Sequence, residues 1–410
     1  MFDPYNIRKD FPMFTNQTKM QGHDLVFLDN ASTTFKPQCV IDACNLYYSK
    51  ETSNSGRGDY DLMYKVDTTV EETRKNVAAF INADENEIVF TSGDTESLNI
   101  VAFGWGRFNL KKDDEVLITE AEHASCAMPW FALAKSVGCK TKFIELTDEG
   151  RLTLENVKKA VNEHTKVISV ANVTNVLGFY TDLKPICKFA HEHGIIVVCD
   201  GAQSVPHMKT DVKDMDVDFL TFSGHKMCGP TGIGILFGKK ELLEKTMPLI
   251  LGGGMNEDFT KEGNCVLHPA PRKLEPGTLN IDGIYGLNAA IKYLSNIGMD
   301  NIQKHEQELR KYAIEKMKDI KDLVIYNENA EAGIISFNIK NVFAQDLATL
   351  LNSKGIAVRS GNHCAKILKE QINEIATVRA SFYLYTTKED IDALVDALKE
   401  GGNFLDAYFA

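Results

Sequence analysis

Ile195-Ile-Val-Val-Cys-Asp200-Gly-Ala-Gln203 is a short apolar run closed by an aspartate. A strand of that composition has no polar face to turn to water, so it belongs inside a sheet covered on both sides. Similar runs recur upstream and downstream. They are Glu87–Thr91, Glu115–Thr119, Lys140–Glu145, Thr165–Ala171, Phe219–Phe222 and Gly232–Gly238. Helical patterns such as Pro129–Val137 and Leu154–Val161 lie between several of them. Strands separated by helices predict a mainly parallel α/β sheet, with the pair flanking Gly229-Pro230-Thr231-Gly232 free to run antiparallel.

Beyond a Gly-rich stretch, Leu251-Gly-Gly-Gly-Met255, one long helical pattern is expected from Ile284 to Lys318. Strand-like Gly333–Ile339, Ala357–Arg359 and Ile375–Ser381 then alternate with helices at Gln345–Ser353 and Lys388–Leu398. The expected division is an N-terminal segment (1–20) packing near the small domain, a large domain (21–283) and a smaller α+β C-terminal domain (284–410). With 410 residues, more than one core is expected.

The net charge of −12 and the lack of a dense Lys/Arg run argue against a nucleic-acid partner. No apolar stretch is long enough to cross a bilayer, and the start does not read as a signal peptide, so a cytoplasmic protein is expected. Nine cysteines, an odd number with no C-x-x-C, speak against a disulfide framework and a zinc ribbon, and no metal is expected.

Chemistry concentrates at strand ends, where open α/β sheets bind ligands. Phe219-Leu-Thr-Phe-Ser-Gly-His-Lys226 puts a lysine just past a buried strand, beside Ser223 and His225, which can donate to a phosphate, and Gly224, which admits close approach. An amine among polar and cationic groups can lose its proton and form a Schiff base. Asp200 either caps a helix or pairs with a pyridinium nitrogen. Thr91-Ser-Gly-Asp-Thr95-Glu-Ser-Leu-Asn99 reads as a capping box or, with Thr95, as a phosphate cradle. His123, in Glu120-Ala-Glu-His123, is suited to ring stacking or proton relay. Together these supply a phosphate site, a ring-nitrogen partner, a stacking group and an amine, which is the set needed for pyridoxal 5'-phosphate.

Two further windows choose the reaction. Arg359-Ser-Gly-Asn-His-Cys364-Ala-Lys366 carries a cysteine in a loop after a strand; His363, Lys366 and Arg359 would favour its thiolate, and loop mobility would suit its task. Arg379, in Thr377-Val-Arg-Ala-Ser381, offers a planar fork that binds a carboxylate at two points.

At these residues the chain resembles the fold-type I pyridoxal-phosphate enzymes of aminotransferase class V, and among them the Suf-type, group II cysteine desulfurases. The resemblance runs along nearly the whole chain. It includes Phe27-Leu-Asp-Asn-Ala-Ser32, Asp200-Gly-Ala-Gln203, Ser223-Gly-His-Lys226, Leu251–Met255, Glu275-Pro-Gly-Thr278, the Arg359–Ala365 window and Arg379-Ala-Ser. It implies that Lys226 bonds the cofactor and moves the substrate proton, and that Cys364 receives sulfur from L-cysteine as a persulfide. By the same resemblance Asp200 meets the ring nitrogen, His123 stacks on the ring, and Asn175 and Gln203 contact its hydroxyl. Thr95, Ser223 and His225 hold the phosphate, and Thr278 reaches the phosphate of the other subunit of a homodimer. Arg379 clamps the substrate carboxylate with Arg359 nearby, Asn175 borders the substrate, and Arg57 contributes from the opposite subunit. A short cysteine loop implies a dedicated Suf-type acceptor protein, with iron–sulfur assembly one destination. Selenocysteine lyase and class V aminotransferase are the rival readings. Two departures stand out: Asn362 where the family commonly has His, and Gly56-Arg57-Gly58-Asp59-Tyr60 where it often has His-Arg-Gly-x-His.

Overall fold

The computed structural model describes residues 2–56 and 58–399. Its largest sheet has seven strands: β1 (Ile88–Thr91), β2 (Glu115–Thr119), β3 (Lys140–Ile144), β4 (Thr165–Ala171), β5 (Ile196–Asp200), β6 (Phe219–Ser223) and β7 (Gly234–Gly238). Their spatial order is β1-β7-β6-β5-β4-β2-β3. The run β3-β2-β4-β5-β6 is parallel throughout, and β7 alone runs against its neighbours β1 and β6. Six of the strands have no exposed or half-exposed position or only one, as apolar runs between two helical layers require. The exception is the edge strand β3, whose exposed Lys140 and Lys142 keep a free sheet edge from pairing with another chain; only β4 and β5 admit a single half-buried residue.

Helix α1 (Asp61–Ile81) and helix α5 (Ile281–Ile297) pack together on one side of this sheet, while α2 (Asp94–Asn99) and α3 (Ala124–Val137) follow β1 and β2. Helix α4 (Leu183–Glu192) precedes β5 and buries Leu183, Ile186, Cys187 and Ala190 along one stripe, the spacing of an amphipathic helix.

A second sheet has order β8-β9-β11-β10, formed by β8 (Leu323–Ile325), β9 (Ile334–Ile339), β10 (Arg359–Gly361) and β11 (Thr377–Ser381), all antiparallel. Helices α6 (Met299–Met317), α7 (Ala344–Ser353) and α8 (Lys388–Lys399) cover it around Leu309, Phe337, Leu347 and Leu394. The α/β class and the smaller α+β unit therefore match the expectation. The first residues lie along this part of the chain: Tyr5 donates to Glu389, Arg8 donates to the Tyr385 carbonyl at 2.8 Å and pairs with Asp390, and Phe11 meets Tyr385 edge-on.

Two expectations need correction. The helical pattern Ile284–Lys318 is two helices, broken at Gly298, where φ is +89°. That backbone is open to glycine and strained for other residues, so the apolar periodicity continues while the helix does not. The strand expected at Ala357–Arg359 is also split. Ile356–Ala357 pairs in parallel with Val26–Phe27, and Arg359–Gly361 turns away to pair with β11. That handover joins residues 26–36 to the second sheet. Among the described residues no helix is long and apolar enough to cross a membrane.

Close approach fixes Gly234 on β7. A Cβ there would stand 2.4 Å from the Gly93 Cα and 2.8 Å from the Phe222 carbonyl oxygen, both backbone atoms that cannot swing aside. Gly234→Ala is expected to destabilise the fold by roughly 1–3 kcal/mol, the usual cost of overpacking. Denaturant midpoints of the two proteins check this.

Candidate active site

The carboxyl ends of β1, β2, β4, β5 and β6 open onto one cavity of ≈ 190 Å³, closed on its far side by β10, β11 and the turn after β10. Its wall holds Lys226 and Cys364 together with Asp200, Asn175, Gln203, His123, Thr95, Ser223, His225, Arg359 and Arg379. Two expected residues stand apart. Thr278 is exposed and outside the cavity of its own chain, and Arg57 lies outside the described residues.

Each side chain is placed by a local cause. Asp200 ends β5 and accepts from the Ala202 N–H at 3.0 Å, so its carboxylate stays at the strand end. His123 caps α3: its Nδ1 accepts from the Ser125 N–H at 3.1 Å, which leaves the ring proton on Nε2. Burial, first of all, keeps this ring from being protonated. One residue earlier, Glu122 accepts from the Thr119 hydroxyl (2.6 Å) and the Ala171 N–H (2.8 Å), tying the ends of β2 and β4 together. Burial pushes its pKa up to about 8. On the phosphate side, Thr95 and Ser125 share a hydroxyl contact of 2.8 Å, and Ser223 accepts from the Asp94 N–H at 2.8 Å.

Lys226 has a lowered pKa. Burial is the main cause, Arg379 and Arg359 add to it, and Asp94 and Asp200 oppose it. The cations beside this amine are thus the two arginines. His225 supplies no charge, because burial and then Lys226 and Lys36 bring its pKa down to about 4. Asp94 was not singled out in the sequence, yet it is buried with Oδ1 unpaired, and burial followed by Asp200 raises it to about 7.

Arg379 is 2% exposed. It donates to the Asn175 carbonyl at 2.8 Å and to the Ser32 hydroxyl at 2.9 Å, and pairs with Asp29 at 3.3 Å. Its Nε has no partner. Arg359 also donates to Ser32, at 2.7 Å. Asp29 and Ser32 thus have a role beyond the strand-end motif they belong to. Their signal was a polar Asp-Asn-Ala-Ser following apolar Phe27-Leu28, the strand-end pattern that had marked Asp200.

Cys364 is exposed and sits in a turn closed by the Ala365 N–H on the Asn362 carbonyl at 2.8 Å. Both central residues are left-handed, His363 at φ +50° and Cys364 at φ +60°. Such backbone costs energy and persists where the surroundings hold it. Here the Asn175 amide donates to the His363 carbonyl and the Ala124 N–H donates to the Cys364 carbonyl, each at 2.8 Å. The expected mobile loop is therefore a pinned turn with a free side chain. The expected help from His363 also fails. Its ring is buried against Thr377, and burial followed by Arg379 lowers its pKa to about 3, so it is neutral. Cationic neighbours in the cavity wall are Arg359, Arg379 and Lys226.

The donor set suits pyridoxal phosphate. Asn175 Oδ1 and Gln203 Oε1 are buried in the cavity wall without partners, as acceptors waiting for a ring hydroxyl would be. An acid at a strand end, a capped neutral imidazole and an amine of low proton affinity complete the set. Among the described residues no group of three His, Cys, Asp or Glu side chains is placed to hold a metal.

Comparison with known proteins agrees with this geometry. The family model described as aminotransferase class-V matches residues 26–394. A protein named "probable cysteine desulfurase" from Halalkalibacterium halodurans is 44% identical over 397 residues, covering 97% of each chain. The structure of the cysteine desulfurase CsdA from Escherichia coli superposes with TM-score 0.91 at 33% identity, over 99% of both chains. An apo cysteine desulfurase from Thermococcus onnurineus NA1 gives TM-score 0.92 at 37% identity, over 98% of both.

His363 carries a pH prediction. Its folded pKa lies below the unfolded value of ~6.5, so the unfolded chain binds more protons between about pH 3 and 6.5. Stability contributed by neutral His363 is whole above that window and is lost as pH falls through it, by up to about 1.4 kcal/mol per pH unit. His363→Gln is expected to unfold with a shallower acid slope than the parent, as read by chemical denaturation from pH 7 to 4.

Proposed function

The chain belongs to the aminotransferase class-V family, and from that premise we propose that it is a pyridoxal-phosphate-dependent cysteine desulfurase. It converts L-cysteine to L-alanine and keeps the sulfur as a persulfide on Cys364. The observation that carries this reading is the shared cavity wall of Lys226 and an exposed Cys364, with Arg379 between two anchors beside them.

When bound, pyridoxal phosphate supplies a sink for the electrons of the substrate carbon next to the amino group. The rest falls to the chain. Arg379 holds the substrate carboxylate through Nε, which has no partner within the protein, and Arg359 adds a second positive charge. With the cofactor bound, Asp200 would face the ring nitrogen and favour its protonated form, and His123 would support the ring. Asn175 and Gln203 would accept from the ring hydroxyl, while Thr95, Ser223 and His225 would hold the phosphate. Lys226 Nζ, disposed by burial to give up its own proton, takes the Cα proton and returns it. Cys364 Sγ then attacks the substrate sulfur. A sulfur–sulfur bond forms, the carbon–sulfur bond breaks, and its electron pair goes to carbon, which takes a proton and leaves as the alanine methyl group.

Hydrogen bonds to both carbonyls of the Cys364 turn limit how far a persulfide can travel, which supports transfer to a docked acceptor protein of the Suf type and, through it, iron–sulfur assembly in the cytoplasm. A homodimer is supported by exposed Leu249, Ile250, Leu251, Phe259 and Val266 in the part of the chain preceding Thr278. In that assembly Thr278 and Arg57 serve the partner's cavity.

Cys364→Ser is expected to lower alanine formation from cysteine by at least about 10³-fold, as loss of a single nucleophile does, and to abolish the sulfur-mass increment that the parent gains with cysteine. Amino-group transfer to a keto acid, undiminished in this variant, would instead identify an aminotransferase. Turnover of selenocysteine that survives Cys364→Ser would point to a selenocysteine lyase. Arg379→Lys loses the planar fork and should raise KM for L-cysteine roughly 10- to 100-fold, the worth of a charge-assisted pair, with steady-state kinetics as the measurement.

A further inference from the structure

Four donors converge on one oxygen, the carbonyl of His225, which belongs to the peptide immediately before Lys226. The Thr34 N–H reaches it at 3.0 Å, the Thr33 and Thr34 hydroxyls at 3.1 and 3.2 Å, and the Lys36 ammonium at 3.0 Å. A carbonyl has two lone pairs, so four donors oversubscribe it. Lys36 Nζ also donates to the Thr34 carbonyl and to the Thr33 hydroxyl at 3.4 Å. Its three N–H bonds thus meet three neutral oxygens, a cage shaped for an ammonium, and none of those partners is a carboxylate. Lys36 is absent from the cavity wall.

A desolvated cation without a counter-charge is costly. Burial brings the Lys36 pKa down to about 8, opposed by Cys228. Such a cost needs a return. The His225 carbonyl and the Lys226 N–H share one planar peptide, so pinning the oxygen fixes the plane from which Lys226 departs. We propose that Lys36 is a positioning residue for Lys226, acting through the His225 carbonyl. The proposal rests on Lys226 being the catalytic amine. A second effect follows from charge: Lys36 and Lys226 are the cations facing the His225 imidazole, and both disfavour its protonation.

The test uses the full-length enzyme loaded with pyridoxal phosphate, with Lys36→Met, Lys36→Gln and Lys36→Arg. In Lys36→Met, kcat should fall about 10- to 100-fold, the scale of a misplaced catalytic group, while KM for L-cysteine stays within about twofold because Lys36 touches no substrate. Lys36→Arg should recover most of kcat, since it keeps charge and donors. Histidine NMR should show His225 titrating at higher pH in Lys36→Met than in the parent. Parental kcat and parental His225 titration in Lys36→Met overturn the proposal. So does a loss of kcat that tracks the melting temperature and is not recovered by Lys36→Arg. Should Lys36→Met not fold, Lys36→Gln must show the same kcat loss and His225 shift, and parental values there overturn the proposal. An active Lys226→Ala would instead overturn the reading beneath it.

Discussion

Charge taken out of water is the constraint around which this molecule is built. Asp94, Asp200 and Arg379 are almost wholly buried, and Lys226 faces the same cavity. An unpaired buried ion costs several kcal/mol, so such groups persist only where they face one another. Two acids and two cationic side chains do so here, and the compromise shows in their proton affinities. Asp94 is pushed up, while Lys226 and Arg379 are pushed down, each mainly by burial. A site poised in this way has an amine that burial disposes to give up its proton.

Residues 29–36 let these charges coexist. Asp29 and Ser32 hold the two arginines, and the Ala31 carbonyl accepts from Gln203 at 2.7 Å. The Asn30 amide reaches the Ser381 carbonyl at 2.7 Å, and the Phe35 N–H reaches the Tyr385 hydroxyl at 2.9 Å. Thr33, Thr34 and Lys36 close on the His225 carbonyl. One irregular segment therefore touches Arg379, Arg359, Gln203 and the Lys226 turn, while its flank at Val26–Phe27 pairs with Ile356–Ala357, just before the chain enters the second sheet. It is irregular because its polar groups are spent on neighbours instead of on a ladder.

Legibility in the sequence followed range. Apolar runs between helices announced the parallel sheet, since burial on both faces is written in each strand separately. Asp200, Lys226, Cys364 and Arg379 were visible because a reactive or charged group beside a buried strand is locally conspicuous. Asp94, Glu122 and Lys36 were not, because each has an ordinary local context and gains meaning from groups far along the chain. The break at Gly298 is hidden for a related reason: apolar spacing persists across it, and only the backbone angle reveals the stop. The pinning of the Cys364 turn is hidden from the local sequence because the bonds that hold it come from Ala124 and Asn175.

By itself, then, the sequence determined the α/β class, the strand ends that bear chemistry and the family of reaction, all properties carried by contiguous residues with their own burial or reactivity. Tertiary structure decided which imidazoles lose proton affinity, which cations sit beside Lys226, how the cysteine turn is held and which oxygens Lys36 meets. Those are electrostatic and hydrogen-bonding matters. They depend on distance and on exclusion of water, and neither is defined until segments hundreds of residues apart are packed against each other.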